Sequence, residues 1–188
     1  MRTQLFVVVC LVTAACGTDV RSDEPGDETP ASGQSLFLDQ CARCHGDDGK
    51  GTADAPTILS PVVGYATYVV RNGRGAEMGY PTGMDPFDTA SLTDVELTSV
   101  LEWLGSAPKP TTGADLYGRY CINCHGANGR SGRVKINIVR EVLELSQKVR
   151  YGHGGANYAS RTSYMPAWGA DALTDADLTA LRTYVSGL

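Results

Sequence analysis

Gly33-Gln34-Ser35-Leu36-Phe37-Leu38-Asp39-Gln40-Cys41-Ala42-Arg43-Cys44-His45 and Gly113-Ala114-Asp115-Leu116-Tyr117-Gly118-Arg119-Tyr120-Cys121-Ile122-Asn123-Cys124-His125 are the same sentence written twice, 80 residues apart. Both read Gly-x3-aromatic-x3-Cys-x-x-Cys-His. The correspondence continues downstream. Val70-Arg71-Asn72-Gly73 returns as Val149-Arg150-Tyr151-Gly152, Met84 followed by Pro86 returns as Met165-Pro166, and Leu92-Thr93-Asp94 returns as Leu173-Thr174-Asp175. A nearly constant period over this length marks a duplicated structural unit. The proline-stiffened stretch Ser106-Ala107-Pro108-Lys109-Pro110-Thr111-Thr112 separates the copies. We divide the body into a first domain over 33–107, a linker over 108–112 and a second domain over 113–188.

Each copy reads as helical. A first helix is expected from the glycine into the cysteine pair. A second is expected over Pro61 to Arg71, capped by Ser60, and over Ile138 to Arg150 in the second copy. The last helix opens at Thr93 with Glu96 three residues on, a capping box; Thr174 with Asp177 is a weaker version. It closes near Gly105 or Gly187. Leu97, Val100, Leu101 and Leu104, like Leu178, Leu181 and Val185, keep helical spacing, and no useful alternating pattern points to a strand. Gly33 and Gly113 let the first helix press against the last, beside Phe37 and Trp103 or Tyr117 and Tyr184. The fold class is all-α: two tandem domains of three to four helices each.

The 188 residues suffice for one ordinary or two small domains. A net charge of −5 argues against a nucleic-acid binder, which needs a basic face. Of the six cysteines, Cys10 and Cys16 fall in the N-terminal region. Residues 1–15 pair a basic start with a short apolar run and read as an export signal. That run is too short to cross a bilayer, for which about 20 apolar residues are needed. Ala14-Ala15-Cys16 resembles a bacterial lipoprotein junction, with Cys16 as the lipidated N-terminus; cleavage after Ala15 without lipid is the alternative. Residues 16–32 hold five acids and one arginine and read as a flexible acidic tether.

The remaining cysteines, Cys41, Cys44, Cys121 and Cys124, need another explanation than a disulfide. Cys-x-x-Cys-His is the attachment signature of c-type haem. Two thiols three apart on a helical turn reach the two vinyl groups of one porphyrin, and the adjacent histidine falls beneath the iron. Zinc would need four ligands per site. A thioredoxin-like pair would not demand histidine in the same place twice. We therefore expect two covalent haem c groups, with His45 and His125 as proximal iron ligands.

The sixth ligand needs a soft or basic side chain further along. Met165 is the sole methionine of the second domain. In the first, Met78 and Met84 compete, and register favours Met84: it precedes Leu92 by eight residues, as Met165 precedes Leu173. Spacing from the histidines agrees, 39 residues to Met84 and 40 to Met165. His153 occupies the repeat position of Arg74 and is expected near a propionate or at the surface. Arg71 and Arg150 either meet propionates or complement a helix C-terminus.

These residues resemble class I cytochromes c, and the pair resembles tandem dihaem cytochromes of bacterial respiratory chains. The resemblance covers residues 33–188. It implies a bundle around each haem, no catalytic residues, and transfer of single electrons between periplasmic or membrane redox partners such as other cytochromes, a quinol-oxidising complex or a terminal oxidase. The alternative is a haem subunit of a larger dehydrogenase or terminal oxidase complex; a dihaem peroxidase is disfavoured by the paired methionines. The family commonly has a proline after the haem loop that helps orient the proximal histidine. Pro56 suits that role, whereas Val134-Lys135-Ile136 has no proline. Charge is uneven: residues 33–107 carry ten acids and four bases, residues 111–188 six acids and nine bases. Opposite signs would help the domains dock and steer different partners to the two ends; drift of solvated surface charge is the alternative. The expected place is the bacterial periplasm, membrane-anchored through Cys16 or else soluble.

Overall fold

The computed structural model describes residues 31–75, 82–130, 132–159 and 164–188. The expected signal segment, Cys16, all but the last two residues of the tether, and Met78 lie outside the described residues.

Eight α-helices are seen among the described residues, four in each half. Helix α1 spans Gly33–Gln40 and α5 spans Gly113–Tyr120. Each starts at a hydroxyl that accepts from a backbone N–H three residues on, Ser32 from Ser35 and Thr112 from Asp115. The expected single helix into the cysteine pair is two. Cys41 (φ −117°) and Cys121 (φ −120°) depart from helical geometry, and the chain restarts as the one-turn helices α2 (Ala42–His45) and α6 (Ile122–His125).

Helix α3 spans Val63–Asn72, starting two residues later than expected. Ser60 does not cap it: its backbone is left-handed at φ 54° and its N–H bonds the Leu104 carbonyl. The second-copy equivalent is also shorter than expected. A 3-10 turn over Val142–Glu144 leads into α7, Leu145–Tyr151. Ile138, expected to open that helix, instead donates its N–H to the Gly129 carbonyl at 2.9 Å, which holds it to the preceding loop.

The closing helices α4 (Asp94–Gly105) and α8 (Asp175–Ser186) both carry complete capping boxes, including the Thr174–Asp177 pair. They cross the opening helices at the two glycines. A Cβ on Gly33 would lie 2.0 Å from the Ser99 carbonyl oxygen, and one on Gly113 would lie 2.3 Å from that of Ala180. Phe37 stacks on Trp103 at 4.7 Å and Tyr117 on Tyr184 at 5.4 Å between ring centroids. Leu36, Leu92, Leu97, Val100, Leu101 and Leu104 bury around the first pair, and Leu116, Val149, Leu173, Leu178, Leu181 and Val185 around the second. The helical periodicity seen in the sequence is thus the core-facing stripe.

Arg71 and Arg150 have a role that neither sequence reading supplied. Arg71 donates to the carbonyls of Phe87, Asp88 and Leu92 and pairs with Asp94 at 2.6 Å. Arg150 donates to the Trp168 carbonyl and pairs with Asp175 at 2.8 Å. Each arginine ties the middle helix to the segment that enters the last one.

The two halves meet through aromatic rings. Tyr65 and Tyr68 of α3 face Tyr158, and Tyr65 lies 4.9 Å from Tyr164. Gly64 makes room for this contact, since a Cβ there would sit 2.5 Å from the Tyr158 hydroxyl. Asn123 Nδ2 crosses between the halves and donates to the Thr57 carbonyl at 2.9 Å.

Candidate functional site

In the first half, α2 presents Cys44 and His45 and the following loop folds back over them. Gly46, Gly49 and Gly51 all have positive φ, which a glycine adopts without Cβ strain. At Gly51 the need is also steric, because a Cβ would approach the Thr57 nitrogen to 2.6 Å. The loop is held by Gly51 N–H to the His45 carbonyl and Thr52 Oγ1 to the Cys44 carbonyl. It delivers the Pro56 carbonyl to His45 Nδ1 at 2.9 Å. A carbonyl only accepts, so Nδ1 carries the proton and Nε2 keeps its lone pair for a metal. This is the acceptor role expected of the Pro56 neighbourhood.

The second half repeats the frame with one difference. Gly132 N–H bonds the His125 carbonyl and Val134 N–H bonds the Cys124 carbonyl, both at 3.1 Å. Lys135 then turns left-handed at φ 55°. His125 Nδ1 is buried and has no hydrogen-bond partner among the described residues.

Burial dominates the ionisation of these groups. It pushes the Cys41 thiol up to about 11, with the Cys44 thiol adding to the shift. Cys121 retains some accessible surface, yet close packing pushes its thiol up to about 12. Desolvation also raises Cys124, against the opposing pull of Arg133 and Arg74. Both histidines are lowered by desolvation; at His45 the Pro56 bond opposes that shift and the Arg74 cation adds to it. The imidazoles are thus neutral at pH 7, the form that binds iron.

The methionine loops stand in one register. Arg74 and Met84 exchange two backbone hydrogen bonds of 2.7 Å, and His153 and Met165 exchange two of 2.8 and 2.9 Å. The next turn is equivalent as well: Phe87 N–H bonds the Val70 carbonyl and Trp168 N–H bonds that of Val149. An open cleft of about 410 Å³ lies beside Met84, lined by Tyr68, Arg74 and, from the other half, Ala159. His153 is exposed.

Several residues at the junction escaped the sequence reading. Arg74 donates to the Tyr65 hydroxyl and lies 5.2 Å from the centre of its ring. Burial raises the Tyr164 phenol, with Tyr158 and Cys124 nearby. Tyr164 stands next to Met165 and Arg74 pairs with Met84, so the junction links the two methionine loops. The one available signal was their position beside repeat landmarks.

Among the described residues no cluster of three or more His, Cys, Asp and Glu is gathered, so no zinc-type ligand set completes the cysteine pairs. Paired thiols, a neutral imidazole beside them and a thioether in register fit haem c in both halves. The two bundles define a dihaem c-type cytochrome.

Comparison with known proteins gives the same class and narrows it. The chain matches the family described as "Cytochrome C oxidase, cbb3-type, subunit III" twice, over residues 28–104 and 108–185, and belongs to that family. It is 25% identical over 185 residues to the cbb3-type cytochrome c oxidase subunit FixP of Azorhizobium caulinodans, covering 84% of this chain and 59% of that protein. It is 26% identical over 181 residues to the subunit CcoP of Cereibacter sphaeroides, covering 84% and 60%. To CcoP of an Azospirillum species it is 27% identical over 184 residues, covering 84% and 62%. The chain thus spans about three fifths of the length of these curated relatives.

Proposed function

We propose that this protein is a class I dihaem cytochrome that carries single electrons to or within a cbb3-type terminal oxidase. The carrying observation is the double family match over a chain whose two Cys-x-x-Cys-His motifs are each followed by a methionine loop paired in the same register. In this reading Cys41, Cys44, Cys121 and Cys124 hold the porphyrins, His45 and His125 are proximal ligands, and Met84 and Met165 are the sixth ligands. Iron held by these residues would keep no open position for substrate, and thioether ligation would favour its reduced form. The protein is then the carrier, and catalysis belongs to the complex it serves. Copurification with the oxidase core and oxidation of the haems by that core test this role. A protein that equilibrates with small cytochromes but never with an oxidase supports a free carrier instead.

Met84→Ala and Met165→Ala should each lower the potential of one haem. Each should also remove part of the weak far-red band that methionine gives ferric haem. Met78→Ala should leave both parts in place. If residues 78 and 84 exchange behaviour, the first methionine loop is shifted relative to the second.

No helix among the described residues is long and apolar enough to cross a membrane. We propose attachment to the periplasmic face of a membrane through lipidated Cys16, with residues 1–15 removed and 16–32 as a tether to the domains at 33–107 and 113–188. Cys16→Ser should move the protein from the membrane to the soluble fraction after cell breakage. Wild-type protein already in the soluble fraction would leave export without an anchor.

A further inference from the structure

We propose that the two haem sites are ordered in potential, the first domain's below the second's, so that electrons settle on the site held by His125. The proposal rests on the haem assignment above and on two independent differences between otherwise repeated frames.

The first difference lies behind the proximal histidines. His45 donates its Nδ1–H to the Pro56 carbonyl at 2.9 Å, whereas His125 Nδ1 has no partner among the described residues. A hydrogen bond from the far nitrogen draws the proton away and makes the imidazole a stronger donor to the metal. A stronger donor stabilises the oxidised ion and lowers the potential. The acceptor is fixed: Pro56 precedes Thr57, whose own carbonyl is held by Asn123 from the other half. In the second half the chain turns left-handed at Lys135, next to the position corresponding to Pro56.

The second difference is the charge of the loop that follows each histidine. Residues 46–56 contain Asp47, Asp48 and Asp54 against Lys50 alone. Residues 126–136 contain Arg130, Arg133 and Lys135 and no acid. Negative charge near a redox centre favours its oxidised form and positive charge its reduced form. Val134, between Arg133 and Lys135, is held to the Cys124 carbonyl at 3.1 Å, which keeps this loop beside the attachment turn. Arg74 stands on the Tyr65 ring at the junction between the halves and belongs to neither loop. Donor strength and loop charge displace the two sites in the same sense.

The order is read by spectroscopic potentiometric titration of the full-length, haem-loaded protein and four variants. Met84→His and Met165→His act as labels, because a second histidine drops the potential of its own haem. In Met84→His the wave that stays in place should be the upper wild-type wave. In Met165→His it should be the lower one. The reverse assignment, or two waves of equal potential in the wild type, overturns the order. If neither label moves any wave, the methionine ligation fails and the order fails with it.

Two further variants test the causes. Pro56→Gly loosens the acceptor behind His45 and should raise the lower wave alone. Lys135→Asn removes one charge, and asparagine tolerates the left-handed backbone there; it should lower the upper wave alone. A lower wave indifferent to Pro56→Gly overturns the hydrogen-bond cause, and an upper wave indifferent to Lys135→Asn overturns the charge cause.

Discussion

Replacing Cys121 and Cys124 together by alanine should yield a chain with a single covalent haem and a second half that no longer folds. Below about 80 residues a single core is marginal without a staple. The second core holds seven buried side chains, among them Tyr117, Leu116 and Val185, with Tyr120, Met165 and Trp168 only partly covered around them. Porphyrin held by Cys121 and Cys124 would add apolar surface to this small core and tie it to the backbone at two points. Intact-mass analysis should show the loss of one haem, and limited proteolysis should cut within residues 113–188 while sparing the first half. Cys41→Ala with Cys44→Ala should produce the mirror pattern. Two haems retained after either double substitution would refute covalent attachment at these cysteines.

A comparably large loss of stability is expected from a single methyl group. In Gly33→Ala the new Cβ meets the Ser99 carbonyl oxygen, and in Gly113→Ala it meets that of Ala180. Those atoms are backbone in the interior of α4 and α8, so the helices have to separate. Overpacking of this kind costs about 3 kcal/mol. The separation also pulls Phe37 from Trp103, or Tyr117 from Tyr184. Gly118→Ala is the control, because its Cβ would meet nothing within 4 Å. There the better helix propensity should stabilise by about 1 kcal/mol. Chemical denaturation of the haem-loaded protein, followed by far-ultraviolet circular dichroism, should show both signs. Equal effects at residues 33 and 118 would contradict the close helix crossing.

The duplication made most of this fold readable, because whatever recurs in both copies is constrained twice. The glycine–aromatic spacing foretold the crossing of α1 with α4 and of α5 with α8, and the threonine caps foretold where the last helices start. Met84 could be chosen over Met78 as the register partner of Met165 because Leu92 and Leu173 fix the frame; the backbone pairing of Arg74 with Met84 follows that frame. The Pro56 acceptor was readable for the same reason that its absence near Lys135 was. What escaped the sequence depends on contacts without periodicity. Arg71 was weighed against a propionate and a helix dipole, yet its partners are three carbonyls 16 to 21 residues away and Asp94. The helix expected over 138–150 is shorter in the structure because a hydrogen bond from Ile138 back to Gly129 competes with helix initiation. The tyrosine junction joins residues from different copies, which internal symmetry cannot reveal.

Asn123 occupies one of the two positions that attachment chemistry leaves open between the cysteines, and its amide is nonetheless committed to Thr57 of the other half. The turn that carries Cys121 and Cys124 is in this way clasped to the loop that delivers the Pro56 carbonyl to His45 in the first half. A disturbance of either half is thereby felt at the cysteine turn of the other.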